Sequence, residues 1–186
     1  MKRDEFVFPI FPETDYEECG CGFFIGNLFI TAGHVIVPGQ KPYIVHKGAK
    51  ITLSNPLFQQ FEGDNDRVPD IAIFKIDDFS SNICLSNQFP VIGMELKSES
   101  FRFPDPRIAV PVSCTATISV LDDIYFGAET SVKLWGGSSG SPVLIENEVI
   151  GMLVRGNNGD NKQRPLNFCV FLSSNSIISA ITQIQN

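Results

Sequence analysis

The apolar runs of this chain are short, and most are bounded by glycine, proline, asparagine or aspartate. Such punctuation favours many short strands over long helices. Gly22–Ile25 and Leu28–Thr31 flank Gly26-Asn27, a strong signal for a two-residue hairpin turn. Further strands are expected at Tyr43–His46, Lys50–Leu53 and Ile71–Ile76. Residues 97–107 carry Ser, Lys, Arg and two prolines without apolar periodicity, and read as a linker. Strands resume at 108–110, 114–121 and 132–135. Val143–Ile145 and Val149–Val154 flank Glu146-Asn147-Glu148 as a second hairpin, and Asn167–Leu172 is the last strand. Ser173-Ser174-Asn175 then offers an N-cap, with Ile177, Ile178, Ile181 and Ile184 on one helical face. The expected fold class is all-β, in two halves (1–98 and 99–186) closed by a short C-terminal helix.

A globule of 186 residues buries roughly 70% of its unfolded surface. The 43% hydrophobic content, with 16 Phe, supplies its core. A net charge of −7 provides no basic stripe to neutralise phosphates, which argues against a nucleic-acid partner. No apolar run reaches membrane-spanning length. The start, Met1-Lys2-Arg3-Asp4-Glu5-Phe6, makes a poor signal peptide because acids follow the bases at once, so a cytoplasmic location is expected. Five cysteines, Cys19, Cys21, Cys84, Cys114 and Cys169, favour free thiols. Cys19-Gly20-Cys21 could supply two metal ligands, but no second close Cys/His pair accompanies it, so no metal is expected.

Three separated segments carry the chemistry. In Gly137-Ser138-Ser139-Gly140-Ser141-Pro142 a serine lies between glycines and a proline closes the turn. That composition suits an exposed hydroxyl beside free backbone N–H groups. Serine hydroxyl is a weak nucleophile, and needs a base for its proton and a site for the negative charge it creates. Ser139 is preferred over Ser138 and Ser141 because its flanking glycines leave its hydroxyl least crowded. The N–H groups of Gly137 and Ser139 could converge on an oxyanion. His34 follows a strand through Thr31-Ala32-Gly33, a turn able to hold an imidazole at a cleft edge. His46 lies beside Lys47, a cation that disfavours its protonated form. Asp70 opens an apolar strand, where its carboxylate could accept the imidazole N–H and fix the tautomer. Asp64 and Asp66 read as solvated loop residues. Each segment has a plainer reading: a surface histidine, a turn-ending aspartate, a Ser/Gly turn.

Together the three segments resemble the trypsin/chymotrypsin-fold serine peptidases. Thr31-Ala32-Gly33-His34 resembles the family's histidine motif, Asp70-Ile71-Ala72 its aspartate motif, and Gly137–Pro142 its serine motif. Gly151–Gly156 resembles the substrate-lining strand. Asn167–Leu172 resembles the last barrel strand as written in bacterial high-temperature-requirement proteases, and the serine motif is also similar to that of glutamyl endopeptidases. The resemblance implies two six-stranded antiparallel β-barrels, with His34 and Asp70 from the first, Ser139 from the second and the cleft between them. It implies that Val154, Arg155 and Gly156 pair with an extended substrate. It also places Lys133, Leu134, Val154, Gly156, Asn167 and Cys169 around the specificity pocket. Leu134, Val154 and Cys169 suggest a shallow apolar pocket for small or medium aliphatic side chains, whereas an inward Lys133 would favour an acidic one. Three departures matter. Ser138 replaces the acid that pairs with a freed N-terminus, so no activation by such cleavage is expected. No cysteine directly follows His34, so the usual disulfide there is absent. Val154 replaces a serine that helps hold the aspartate, so Asp70 is expected to be less tightly fixed.

The function implied is a serine endopeptidase of bacterial type acting on protein or peptide substrates, without cofactor and as a monomer. A peptide-binding module of the same fold, with little or partner-dependent turnover, is the alternative, and an esterase would share the chemistry. The danger of an ungated peptidase in the cytoplasm suggests narrow specificity or an activating protein partner.

Overall fold

The computed structural model describes residues 5–14, 19–63, 67–134, 136–156 and 164–185. The amino-terminal four residues, Asp64, Asp66 and Trp135 lie outside the described residues. Fourteen strands and one α-helix follow one another along the described chain. The first half contains β1 (Val7–Ile10), β2 (Gly20–Ile25), β3 (Leu28–Thr31), β4 (Tyr43–His46), β5 (Ala49–Thr52), β6 (Phe58–Gln60) and β7 (Ile71–Lys75). A short β8 (Cys84–Leu85) lies in the connection. The second half contains β9 (Glu95–Asp105), β10 (Ile108–Leu121), β11 (Tyr125–Thr130), β12 (Pro142–Ile145), β13 (Glu148–Gly156) and β14 (Phe168–Ser173), before α1 (Ser174–Gln185).

In the first half, β1-β2-β3-β7-β6 form one sheet and β4-β5 a separate hairpin, joined to the sheet's leading end by a Phe11–Tyr43 bridge. The Gly26-Asn27 turn is formed as expected, with Gly26 at φ 58°. In the second half, the order β12-β9-β10-β11-β14-β13 is closed by pairing of β13 back to β12, giving a six-stranded barrel without a free edge. β8 adds to β13 in parallel, at Glu148–Cys84 and Val149–Leu85. This is the expected all-β architecture with its C-terminal helix. The helix begins where expected, with the Ser176 N–H donating to Ser173 Oγ at 3.4 Å. The Ser174 hydroxyl donates to Ser86 O at 2.8 Å and ties the helix to the connection. Among the described residues no helix is long and apolar enough to cross a membrane.

Two expectations are corrected. Residues 97–107 are not a linker: they form most of β9 and the turn into β10. The apolar signal fails there because β9 turns serines inward. Ser98 and Ser100 are fully buried, and the Ser100 hydroxyl accepts from Ser141 Oγ at 2.7 Å. The notional boundary at 98/99 therefore falls inside a strand. Nor do Val132–Leu134 form a strand; the strand lies earlier, at β11, where Gly127 and Glu129 obscured the alternation.

Aromatic packing dominates the first core. Phe24 stacks on Phe79 at 3.6 Å between centroids and meets Phe8 edge-on at 5.5 Å. The His46 ring lies 4.7 Å from that of Phe79. Its pKa is held below the ordinary value, by burial first and by Lys47 second. Phe24 is fully buried, so Phe24→Ala should cost about 3–5 kcal/mol, read as a large fall in melting temperature. An unchanged melting temperature would contradict this account of the core.

Candidate active site

His34 sits in a single 3-10 turn, Gly33–Val35, immediately after β3. Gln59 of β6 fixes that turn: its Nε2 donates to Gly33 O at 3.0 Å and to Ile36 O at 2.7 Å. Asp70 precedes β7, the neighbour of β3 in the sheet, so strand pairing brings the two residues together. The contact is double. The His34 backbone N–H donates to Asp70 Oδ1 at 3.0 Å, and Nδ1 donates to Oδ2 at 2.6 Å. Because a carboxylate only accepts, a proton is assigned to Nδ1, which in the neutral ring makes Nε2 the acceptor. Asp70 is 9% exposed and does not line the cleft, while His34 is half-buried. Asp70 is held in a way sequence did not suggest. Val154 offers no hydroxyl, but the Asp70 backbone N–H donates to the Tyr125 hydroxyl at 3.0 Å. That hydroxyl donates in turn to Val68 O at 2.6 Å.

The serine loop runs between β11 and β12 and separates its three hydroxyls by environment. Ser138 is 2% exposed and donates to Phe101 O of β9 at 2.9 Å. Ser141 is fully buried and donates to Ser100 Oγ. Ser139 alone of the three lines a cavity of about 520 Å³, which His34 also lines. No hydrogen bond joins His34 to Ser139. The loop is tied to the first half by its backbone, the Cys21 N–H donating to Ser139 O at 2.7 Å. Two glycines make this path feasible. Gly137 has φ 91°, and a Cβ there would meet the Phe103 ring at 2.5 Å. Gly140 has φ 88°, and a Cβ would lie 1.9 Å from Cys21 O. The N–H groups of Gly137 and Ser139 have no acceptor among the described residues, whereas that of Gly140 donates to Leu153 O at 2.7 Å.

Gly137, Leu134, Val154, Arg155 and Gly156 also line the cavity, as the sequence reading placed them. Lys133, Asn167 and Cys169 do not. Asn167 is spent on β11, its Nδ2 donating to Thr130 O at 2.5 Å, and Cys169 is 1% exposed in the barrel core. The far wall was not foreseen: Cys19 and the β9–β10 hairpin tip, Phe103 to Pro106, complete it. Its hairpin was hidden by the mistaken linker. Among the described residues no group of three or more His, Cys, Asp or Glu is placed to hold a metal.

All five cysteines are free thiols, as expected. Burial pushes the Cys21, Cys114 and Cys169 thiols up to about 11; burial and then Asp105 do the same for Cys19. A raised pKa favours the neutral thiol, so near neutral pH these four carry little of the reactive thiolate, which grows as pH climbs toward 11. Iodoacetamide should therefore alkylate native protein at the exposed Cys84 first, with the buried Cys21, Cys114 and Cys169 reacting only after unfolding. Fast native labelling of Cys21 would contradict this. Gly140→Ala should prevent the loop from closing on Cys21, lowering both stability and any activity; a variant with native melting temperature would contradict the geometry.

No sequence-family model matches the chain, and no curated protein matches it by sequence. Solved structures do match in shape. A serine endoprotease from Yersinia pestis superposes with a TM-score of 0.73 at 16% identity over 97% of this chain, which spans 63% of that protein's length. A human pathogenic astrovirus serine protease gives 0.62 at 18% identity, covering 93% of this chain and 91% of its own. A scabies mite inactivated protease paralogue gives 0.69 at 18% identity, covering 98% and 94%. These identities establish fold and not activity, and the last neighbour is described as inactivated. The chain has the trypsin/chymotrypsin-like serine peptidase fold.

Proposed function

We propose that this chain is a serine endopeptidase. The observation that carries the reading is that His34, bonded twice to the buried Asp70, lines a cavity with Ser139, the one hydroxyl of its loop left uncommitted. In the proposed reaction the Ser139 hydroxyl oxygen attacks a peptide carbonyl carbon while His34 Nε2 takes its proton. Asp70 holds the imidazole in the right tautomer and stabilises the imidazolium. The carbonyl oxygen becomes an oxyanion, which the Gly137 and Ser139 N–H groups stabilise. The imidazolium then gives its proton to the leaving amine as the C–N bond breaks. Water, deprotonated by His34, attacks the resulting ester and releases the acid and the serine. Val154–Gly156 would pair with the extended substrate backbone. Leu134 and Val154 on the cavity favour an aliphatic side chain there, and Lys133, off the cavity, does not support the acidic alternative.

Ser138 strengthens the proposal. Its buried hydroxyl anchors the loop to β9 locally, in the place where an acid would wait for a freed N-terminus. The loop is therefore formed without terminal cleavage. The binding-module reading is kept in play by the missing His34–Ser139 hydrogen bond and by the inactivated neighbour. Such bonds are often long before substrate arrives.

A fluorophosphonate probe separates the readings. Wild type should be labelled and Ser139→Ala should not, with peptide turnover falling by on the order of 10⁴–10⁶ in the variant. An unlabelled wild type would favour the binding module.

A further inference from the structure

The Val68-Pro69-Asp70 turn lies beyond strand pairing. The β6–β7 register ends at Gln60–Ile71 and the β3–β7 register at Thr31–Ala72, so neither ladder reaches the Asp70 N–H. Pro69 has no N–H to offer. Both carboxylate oxygens of Asp70 are already taken by His34. What fixes the backbone that aims this carboxylate comes from the other half of the molecule. The Tyr125 hydroxyl accepts the Asp70 N–H and donates to Val68 O, clasping the turn at both ends. Tyr125 is 6% exposed and is the first residue of β11, paired with Leu172 of β14. The same strand runs directly into the loop that carries Ser139. In the other direction, the Cys21 N–H of the first half holds Ser139 O. Each half thus holds the reacting segment of its partner.

We infer that Tyr125 is a positioning residue: its hydroxyl registers the His34–Asp70 couple against the nucleophile loop, across the boundary between the halves. The inference rests on the endopeptidase reading for its catalytic consequence, though not for its structural content. Packing alone would need only the tyrosine ring. Positioning needs the oxygen, because nothing else described reaches both Val68 O and Asp70 N.

Tyr125→Phe removes that oxygen and keeps the ring. In the full chain, the downfield proton resonance of His34 Nδ1–H should shift or broaden away. The kcat should fall about 10- to 100-fold with KM unchanged, the scale expected when a catalytic group is misplaced by about 1 Å. Phe126→Leu is the matched control: this neighbouring residue stacks on Phe171 in the barrel core, 5.3 Å between centroids, and makes no hydrogen bond to the Val68–Asp70 turn. It should lower the melting temperature and leave the resonance in place. A Tyr125→Phe protein with an unmoved resonance and unchanged kcat, or an equal loss in Phe126→Leu, would overturn the inference. Should Tyr125→Phe not fold, hydrogen exchange in wild type decides: the Asp70 amide should be as protected as that of Ile71, and exchange at the free-chain rate would overturn the inference. Should the wild type cleave no peptide, the endopeptidase reading falls while the resonance still decides this one.

Discussion

Two hydrogen bonds between one residue and one carboxylate organise this molecule's cleft. His34 reaches Asp70 with its backbone N–H and with Nδ1, so the turn after β3 and the entry to β7 are fixed to each other. One bond orients the carboxylate, and the other uses that orientation to set the imidazole. A single side-chain bond would leave the ring free to swing. The doubled contact selects the tautomer: in the neutral ring Nδ1 carries the proton and Nε2 is the acceptor. Gln59 braces the turn from one side and Tyr125 clasps the aspartate from another, so the pair is held by groups from both halves.

The serine loop is held on a different principle. Around Ser138–Ser141 it rests on a small buried polar layer. Ser138 and Ser141 spend their hydroxyls on Phe101 O and Ser100, and the Cys21 thiol donates to Gly137 O at 3.3 Å. A buried hydroxyl without a partner costs about 1–3 kcal/mol, so each of these bonds specifies one path for the loop. No described buried side-chain polar atom is left without a partner. The layer leaves the Ser139 hydroxyl and the N–H groups of Gly137 and Ser139, two residues that line the cavity, without a partner among the described residues.

Much of this was legible in the residues. Hairpins marked by Gly26-Asn27 and by Glu146-Asn147-Glu148 lie where they were expected, though Glu148 already pairs with Ile145 as the first residue of β13, and Glu146 takes a positive φ of 54° in the turn. The three chemical segments stood out because glycine and proline fix their backbones locally. The two errors of strand placement share one cause. β9 buries serines where alternation of apolar residues was sought, and β11 buries a glycine and an alanine, so both strands lack the hydropathy signal of period two. Their stability comes from barrel closure and hydroxyl pairing, which are long-range and leave no local trace. The roles of Tyr125 and Gln59 were invisible for the same reason: each bonds to a backbone group far away in the chain. Lys133, Asn167 and Cys169 were placed by positional analogy, and local hydrogen bonding and core packing draw the latter two away from the cavity.

The central claim is that Ser139 is activated by the His34–Asp70 couple beside two waiting N–H donors. A crystal structure of the chain after reaction with a small phosphonylating inhibitor tests it most directly. The account predicts a covalent bond from the inhibitor's phosphorus to Ser139 Oγ, with one phosphonyl oxygen about 2.7–3.1 Å from the N–H groups of Gly137 and Ser139. An adduct on another residue, or one whose oxygen points away from both donors, would contradict it.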